Sequence, residues 1–244
     1  ISYCSSPDIF RNHPLVKNLT NIEKDINNVE VSEVLLNFKP DIIIHFAAES
    51  HVDRSIDSPI EFINSNILAT YKLLEGLRNY YKENKDVKYI HISTDEVYGS
   101  LDLSDSPFSE TSNYSPSSPY SASKASSDHL ALAWHKTYDL PIVITNCSNN
   151  FGPWQFPEKL IPLTIINIIN KKPINVYGSG INVRDWLYVD DHINAILQVS
   201  ENGKIGEKYN IGGSNEMSNL DLINTIISKM EEINPKYAGS QNLI

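Results

Sequence analysis

The sequence predicts an α/β protein: a parallel sheet followed by a smaller, more mixed lobe. Three observations carry this. Short apolar runs at 41–48, 87–92 and 141–147 alternate with long stretches of helical periodicity, and such alternation gives a parallel sheet with right-handed crossovers. The strand-like runs are apolar on both faces, as expected of strands buried between helical layers. After Asn150 the punctuation changes to Phe151-Gly152-Pro153-Trp154-Gln155-Phe156-Pro157, a loop rich in Gly, Pro and aromatics and suited to lining a pocket.

The elements follow in order. Lys39-Pro40 introduces the first strand, Asp41-Ile42-Ile43-Ile44-His45-Phe46-Ala47-Ala48. From Pro59 to about Lys82, apolar residues recur at helical spacing (Phe62, Ile63, Ile67, Leu68, Tyr71, Leu74, Leu77), which predicts one long helix. A second strand at 87–92 leads through a Ser/Pro-rich loop, 104–118, to a long helix over 118–138 and a third strand at 141–147. The remainder predicts a helix near 159–171, a strand at 174–177, a helix after Asp190 and a last helix at 218–233.

Composition narrows the function classes. The chain has 244 residues and a formal net charge of -10, which argues against a nucleic-acid groove lined with Lys and Arg. Only Arg11, Arg54, Arg78 and Arg184 carry guanidinium groups. Cys4 and Cys147 are too few for a disulfide framework and lack metal-ligand spacing, so a reducing cytoplasm is the simplest setting and no metal is expected. The longest apolar run, near 160–169, is broken by Pro162, Thr164 and Asn167, so no membrane span is expected. No Gly-x-Ser-x-Gly elbow is present to suggest a serine hydrolase.

The chemistry concentrates in two motifs. Ser93-Thr94-Asp95-Glu96-Val97-Tyr98-Gly99 closes the second strand, and Tyr120-Ser121-Ala122-Ser123-Lys124 opens the following helix. Tyr-x-x-x-Lys alone is weak, and Tyr81-x-x-x-Lys85 at a charged helix end is a chance occurrence of it. Tyr120 and Lys124 share one helix face, where an ammonium would stabilise a phenolate. Lowering a phenol from about 10 towards neutrality takes on the order of 4 kcal/mol. Asp95 and Glu96 sit at a strand's carboxyl end, where open α/β sheets bind ligands. Adjacent carboxyls there can divide acid and base work if their environments separate them. Ala47-Ala48-Glu49-Ser50-His51-Val52-Asp53-Arg54-Ser55 follows the first strand with small residues that admit a flat ligand. Asp53 and Arg54 read as structural charges. Lys159 and Arg184 are isolated cations in an acidic chain, of the kind a diphosphate needs.

These residues resemble the dTDP-glucose 4,6-dehydratases, extended short-chain dehydrogenase/reductases acting on nucleotide sugars. The resemblance covers nearly the whole chain. It rests on the two motifs above, residues 47–55, Asn149-Asn150-Phe151-Gly152-Pro153, Phe156-Pro157-Glu158-Lys159-Leu160-Ile161-Pro162, Asn182-Val183-Arg184-Asp185-Trp186 and Asn210-Ile211-Gly212-Gly213. Thr94-Asp95-Glu96 separates such dehydratases from 4-epimerases.

The resemblance implies a Rossmann-type doubly wound sheet holding NAD over 1–148, and a nucleotide-sugar lobe over 149–244 interleaved with it. Tyr120 with Lys124 would take the sugar 4-hydroxyl proton, Thr94 would bond the same oxygen, Glu96 would remove the C5 proton, and Asp95, kept protonated, would release the 6-hydroxyl as water. Asp25 and Ile26 would meet the adenine. Phe46, Ala47, Ala48, Glu49, Ser50, Ser65, Tyr120, Lys124 and Asn150 would hold the rest of the NAD. Ser50, Thr94, Asp95, Asn149, Lys159, Leu160, Asn175, Val176, Tyr177, Arg184 and Asn219 would line the sugar-nucleotide pocket. The helices at 59–82 and 118–138 would form a homodimer contact. The alternatives are another nucleotide-sugar enzyme of this superfamily, an epimerase or a GDP-mannose-type dehydratase, or an inactive ligand-binding fragment.

Two family features are missing from the sequence: the glycine-rich turn that binds the cofactor pyrophosphate, and the basic segment that contacts the substrate diphosphate. The chain also opens on Ile1 rather than Met. It is therefore expected to be a fragment, with apolar sheet edges uncovered and weak or no activity in isolation.

Overall fold

The computed structural model describes residues 18–101, 105–176 and 178–244. Within them the chain forms two compact units, Asn18–Cys147 with Ile193–Ile211, and Ser148–His192 with Gly212–Ile244. Among the described residues no helix is long and apolar enough to cross a membrane.

The first unit is built on a four-stranded parallel sheet of β1 (Ile42–His45), β2 (Lys88–Thr94), β3 (Ile142–Cys147) and β6 (Lys208–Ile211), in that spatial order. This is the α/β class and the parallel sheet expected. The central strand β2 is buried along nearly its whole length, as a strand covered on both faces must be. Strand β1 differs from expectation: Ile42 and Ile44 are exposed. It stands at the end of the strand order, and among the described residues β2 is its partner.

The helices of this unit are α1 (Val31–Phe38), α2 (Val52–Asp57), α3 (Pro59–Phe62), α4 (Ala69–Tyr81) and α5 (Pro119–Tyr138). Val31 and Leu35 of α1, Leu74, Leu77 and Tyr80 of α4, and Ala131 of α5 pack with Tyr89, Ile142 and Ile144 of the sheet into one apolar core. Gly76 permits the close approach of α1 to α4, because a Cβ there would lie 2.4 Å from Val31 Cγ1.

The helix expected over 59–82 is not uniform. Its middle, Ile63–Leu68, is π-helical, with α3 and α4 on either side. Inserted turns of this kind concentrate at functional sites, and this one turns Asn66 into the interior.

The second unit holds a three-stranded mixed sheet of β4 (Asn149–Phe151), β5 (Val183–Tyr188) and β7 (Glu216–Ser218). Strand β5 pairs parallel to β4 and antiparallel to β7. Helices α6 (Leu160–Asn170) and α8 (Asn219–Ile233) pack through Ile168, Ile223 and Ile227 against Ile174. Helix α7 (Val189–Asn202) carries the chain from the second unit back into the first.

The strand expected at 174–177 is not formed over 174–176. Ile174 is held by its N–H donating to the Leu243 carbonyl, a loop contact instead of a ladder. Tyr177 lies outside the described residues, as do Cys4 and Arg11.

Candidate active site

The carboxyl end of β2 turns into the helix that carries the tyrosine. Thr94 ends the strand and caps a single 3-10 turn, Asp95–Tyr98, by accepting the Glu96 N–H at 3.3 Å. Its hydroxyl also lies 3.4 Å from Asp95 Oδ1. The turn closes on Gly99, whose φ of 98° favours glycine and whose missing Cβ would otherwise lie 2.5 Å from the Ser115 carbonyl. One strand end thus presents Thr94, Asp95 and Glu96 together.

Helix α5 starts where the Ser118 and Ser121 hydroxyls cap each other's backbone N–H groups, with Pro119 at its first position. The Tyr120 N–H donates at 3.1 Å to Ser55, a fully buried serine of α2. The Tyr120 ring meets Phe62 edge-on. Its phenol lies near the strand end, where Thr94 is buried and Asp95 and Glu96 are half-buried, and the charge of Glu96 acts on it more than that of Asp95.

Burial, then the charge of Glu96, push the Tyr120 phenol well above its usual range, against the lowering that its partnership with Lys124 predicts. Lys124 does not reverse this rise. Its ammonium is buried and turned to the sheet, donating at 2.7 Å to the Ile92 carbonyl. Burial also lowers Lys124 itself.

Beneath this pair runs a polar network that spacing alone does not single out. Asp128, one turn beyond Lys124 and fully buried, accepts from Ser93 Oγ at 2.9 Å, Tyr114 OH at 2.8 Å and Asn146 Nδ2 at 3.1 Å, all on Oδ2. Its Oδ1 lies 3.2 Å from His91 Nε2. Asn146 donates as well to the Thr94 carbonyl at 3.1 Å. On the neighbouring strand, His45 Nδ1 and Tyr89 OH are 2.7 Å apart. The available sequence signal was Asp128 at the i+4 position from Lys124, on the same helix face.

A second buried node joins the loop after β1 to α5. The Asn66 side chain accepts from the Glu49 N–H at 2.8 Å, donates to the Glu49 carbonyl at 2.9 Å, and donates to Ser123 Oγ at 2.8 Å. It thereby fixes the loop in which Phe46, Ala47, Ala48, Glu49 and Ser50 lie. Phe46, Ala47 and Ser50 are exposed, while Ala48 and Glu49 are half-buried.

Among the other candidates of the first unit, Asp25 caps the 3-10 turn Ile26–Asn28 through the Asn27 N–H, and Ile26 packs on the apolar core. The Ser65 hydroxyl donates to the Glu61 carbonyl within its own helix. The chance pair Tyr81 and Lys85 forms a cation–π contact of 3.8 Å at a helix end, remote in sequence from the other groups.

In the second unit, Asn149 and Asn150 lie on β4, opposite Trp186 and Leu187. Asn150 lines a shallow cavity of about 220 Å³ with residues 151–155 and Val189. Lys159 precedes α6 at its N-cap, and Leu160 and Val176 pack on the apolar cluster of Ile168, Ile174, Ile223 and Ile227. Asn175 and Arg184 are exposed, and Asn219 begins α8 with its N–H donating to the Asn182 carbonyl. Tyr177 falls outside the described residues.

Comparison with known proteins accords with this geometry. A family model described as GDP-mannose 4,6 dehydratase matches residues 5–243. The chain is 53% identical over 219 residues to a dTDP-glucose 4,6-dehydratase of Neisseria meningitidis, covering 87% of this chain and 62% of that protein. It resembles the solved structure of dTDP-glucose 4,6-dehydratase from Bacillus anthracis in complex with NAD, with 43% identity and a TM-score of 0.79, covering 91% of this chain and 66% of that one. UDP-glucuronic acid 4-epimerase of Bacillus cereus, in complex with UDP-glucuronic acid and NAD, is more distant at 33% identity and a TM-score of 0.80, covering 91% of this chain and 71% of that one. The chain therefore spans under two thirds of the length of its meningococcal relative. A parallel sheet of the Rossmann type, a Thr-Asp-Glu strand end and a buried Tyr/Lys helix occur here in one chain matched along nearly its whole length, and the chain belongs to the GDP-mannose 4,6 dehydratase family.

Proposed function

We propose that the protein is an NAD-dependent dTDP-glucose 4,6-dehydratase, producing dTDP-4-keto-6-deoxyglucose and water. One observation supports the reading: Thr94, Asp95 and Glu96 gather at the end of β2, and Tyr120 and Lys124 open the helix that packs against that turn. The relatives named dTDP-glucose 4,6-dehydratase support the choice of substrate.

The residues present fit NAD. After β1 the chain offers small Ala47 and Ala48, an exposed Phe46 ring and open backbone, as a flat ring requires. Phe46, Ala47, Ala48, Glu49, Ser50, Ser65, Tyr120, Lys124 and Asn150 would hold it, with Asp25 and Ile26 at the adenine. Bound NAD supplies a hydride acceptor for C4 of the sugar and a donor back to C6.

The chain's own groups do the proton work. Tyr120 takes the proton from the 4-hydroxyl, and Thr94 donates a hydrogen bond to the same oxygen. A ketone at C4 acidifies C5, which brings that C–H within reach of a carboxylate base, Glu96. Asp95 is the acid that gives a proton to the departing 6-hydroxyl. The order is forced, because an unactivated C5–H is far too weak an acid for Glu96.

Ser50, Asn149, Lys159, Leu160, Asn175, Val176, Tyr177, Arg184 and Asn219 form the nucleotide-sugar set in this reading, with Lys159 and Arg184 the cations for the diphosphate. A homodimer through residues 59–82 and 118–138 is supported by Ile60, Ile63, Leu68 and Tyr71, large apolar side chains left exposed on the first of these segments. The low cysteine content supports a cytoplasmic setting.

The test is turnover of dTDP-glucose by the full-length protein in heavy water, read by mass spectrometry. Loss of water with one solvent deuterium at C5 is expected. An epimer of unchanged mass with no solvent hydrogen would overturn the dehydratase reading in favour of an epimerase.

A further inference from the structure

The reaction leaves unexplained why a carboxylate should sit fully buried one helical turn from Lys124. An ionised group in such a place costs several kcal/mol unless it is fully bonded. Three bonds, from Ser93, Tyr114 and Asn146, converge on Oδ2 of Asp128, while its buried Oδ1 has no hydrogen-bond partner and lies 3.2 Å from His91 Nε2. Against the cost of burial, the nearby His91 imidazole, then Lys124 and Ser93, bring its carboxyl below the usual carboxylate range.

Lys124 has the opposite problem. Its ammonium donates to a neutral carbonyl, that of Ile92, and burial drives it towards the uncharged amine. A neutral amine would lend Tyr120 no help in holding a phenolate.

We propose that Asp128 is a positioning residue for the Tyr120–Lys124 pair, its fixed carboxylate keeping the Lys124 ammonium charged while its bonds to Asn146 and Ser93 hold the strand end that carries Thr94. The inference deepens the proposed function and takes from it the role of Tyr120 as base.

The surroundings leave Asp128 as the main counter-charge. Two groups raise Lys124, Asp128 first and Cys147 of β3 second. His45 of β1 and His91 of β2 are held neutral by burial and by each other or Lys124. Tyr98 and Tyr114 face Asp128 from the turn and the loop, and both are kept as neutral phenols, Tyr98 pushed up to about 12 chiefly by burial. Lys208 of β6 is a further cation sensing Asp128, set over the Tyr114 ring. Asn146 donates to both Asp128 and the Thr94 carbonyl, so the counter-charge and the catalytic turn share one amide.

The experiment follows the Tyr120 phenolate by near-ultraviolet absorbance in the full-length holoprotein, as the difference from Tyr120→Phe, across a pH titration without substrate. In Asp128→Asn, which keeps the side-chain shape, the Tyr120 midpoint should rise by about one pH unit or more, and the acidic limb of kcat should follow it while KM for the sugar nucleotide stays put. Asp128→Glu should restore most of the parent midpoint. A folded Asp128→Asn protein whose Tyr120 titrates as in the parent would overturn the proposal and leave Asp128 a packing residue.

Should Asp128→Asn not fold, the parent protein itself decides through the Lys124 Cε resonance, assigned with Lys124→Arg. An ammonium persisting above neutral pH is expected, and a neutral amine at neutral pH overturns the proposal. These titrations need no turnover. A moved midpoint in a protein that does not dehydrate dTDP-glucose would uphold Asp128 while removing the proposed substrate.

Discussion

The Asn66 side-chain amide lies 2.8 Å from the Ser123 hydroxyl, which joins a π-helical stretch to the helix bearing Tyr120 and Lys124. Ser123 in turn donates to the Tyr120 carbonyl at 2.7 Å, so the link reaches the tyrosine's own turn. Replacing Asn66 by Ala would remove its hydrogen bonds to the Glu49 N–H, the Glu49 carbonyl and Ser123. A hydrogen bond contributes about 1 kcal/mol net, so a loss of about 3 kcal/mol in urea unfolding is expected for Asn66→Ala. Weaker NAD retention should accompany it, because the loop at 46–50 loses its anchor.

Ser55 supports the tyrosine from the other side. It accepts the Tyr120 N–H and donates to the Val52 carbonyl at 2.5 Å, within a fully buried setting. Ser55→Ala should cost about 1–2 kcal/mol, the usual effect of removing an acceptor from a helix's first turn. Chemical denaturation measures that loss, and kcat should fall several-fold with KM little changed.

Stability should fall as the medium becomes mildly acidic. His45 and His91 are both lowered from their usual 6.5 by burial, so the unfolded chain takes up protons that the folded chain refuses. Their contribution is complete above 6.5 and declines as pH drops below it towards the folded values. The limiting slope is about 1.4 kcal/mol per pH unit for each histidine. His192, lowered for the same reason, acts in the same direction. The Asp128 contribution has the same sign but a lower window, being lost only beneath the usual carboxylate value of 3.8. Melting temperatures across the mildly acidic range check this. His91→Gln should flatten the decline.

Much of the fold was open to reading from residue pattern alone. The strands at 87–92 and 141–147 emerged as Lys88–Thr94 and Ile142–Cys147, and the helix at 118–138 as Pro119–Tyr138, because parallel core strands and capped helices carry strong local signatures. The π-helical stretch was hidden, since one extra residue per turn leaves the apolar spacing of 59–82 almost unaltered. Strands β5 and β7 pair across a long sequence separation, so no local pattern announces their ladder. At 174–176 an apolar run was mistaken for a strand because burial against α6 and α8 leaves the same mark. Tyr120 shows the limit at the site: a spacing can put Lys124 on its face, but the ammonium's direction depends on the Ile92 carbonyl beneath it.

One modest contact offers a practical handle. Lys88 Nζ donates at 2.7 Å to the Ser200 carbonyl and lies 3.4 Å from those of Glu201 and Gly203, closing the end of α7. An amine so engaged is a poor nucleophile towards acylating reagents, whereas most lysines among the described residues are exposed. Its labelling would therefore report, peptide by peptide, when this part of the molecule has come undone.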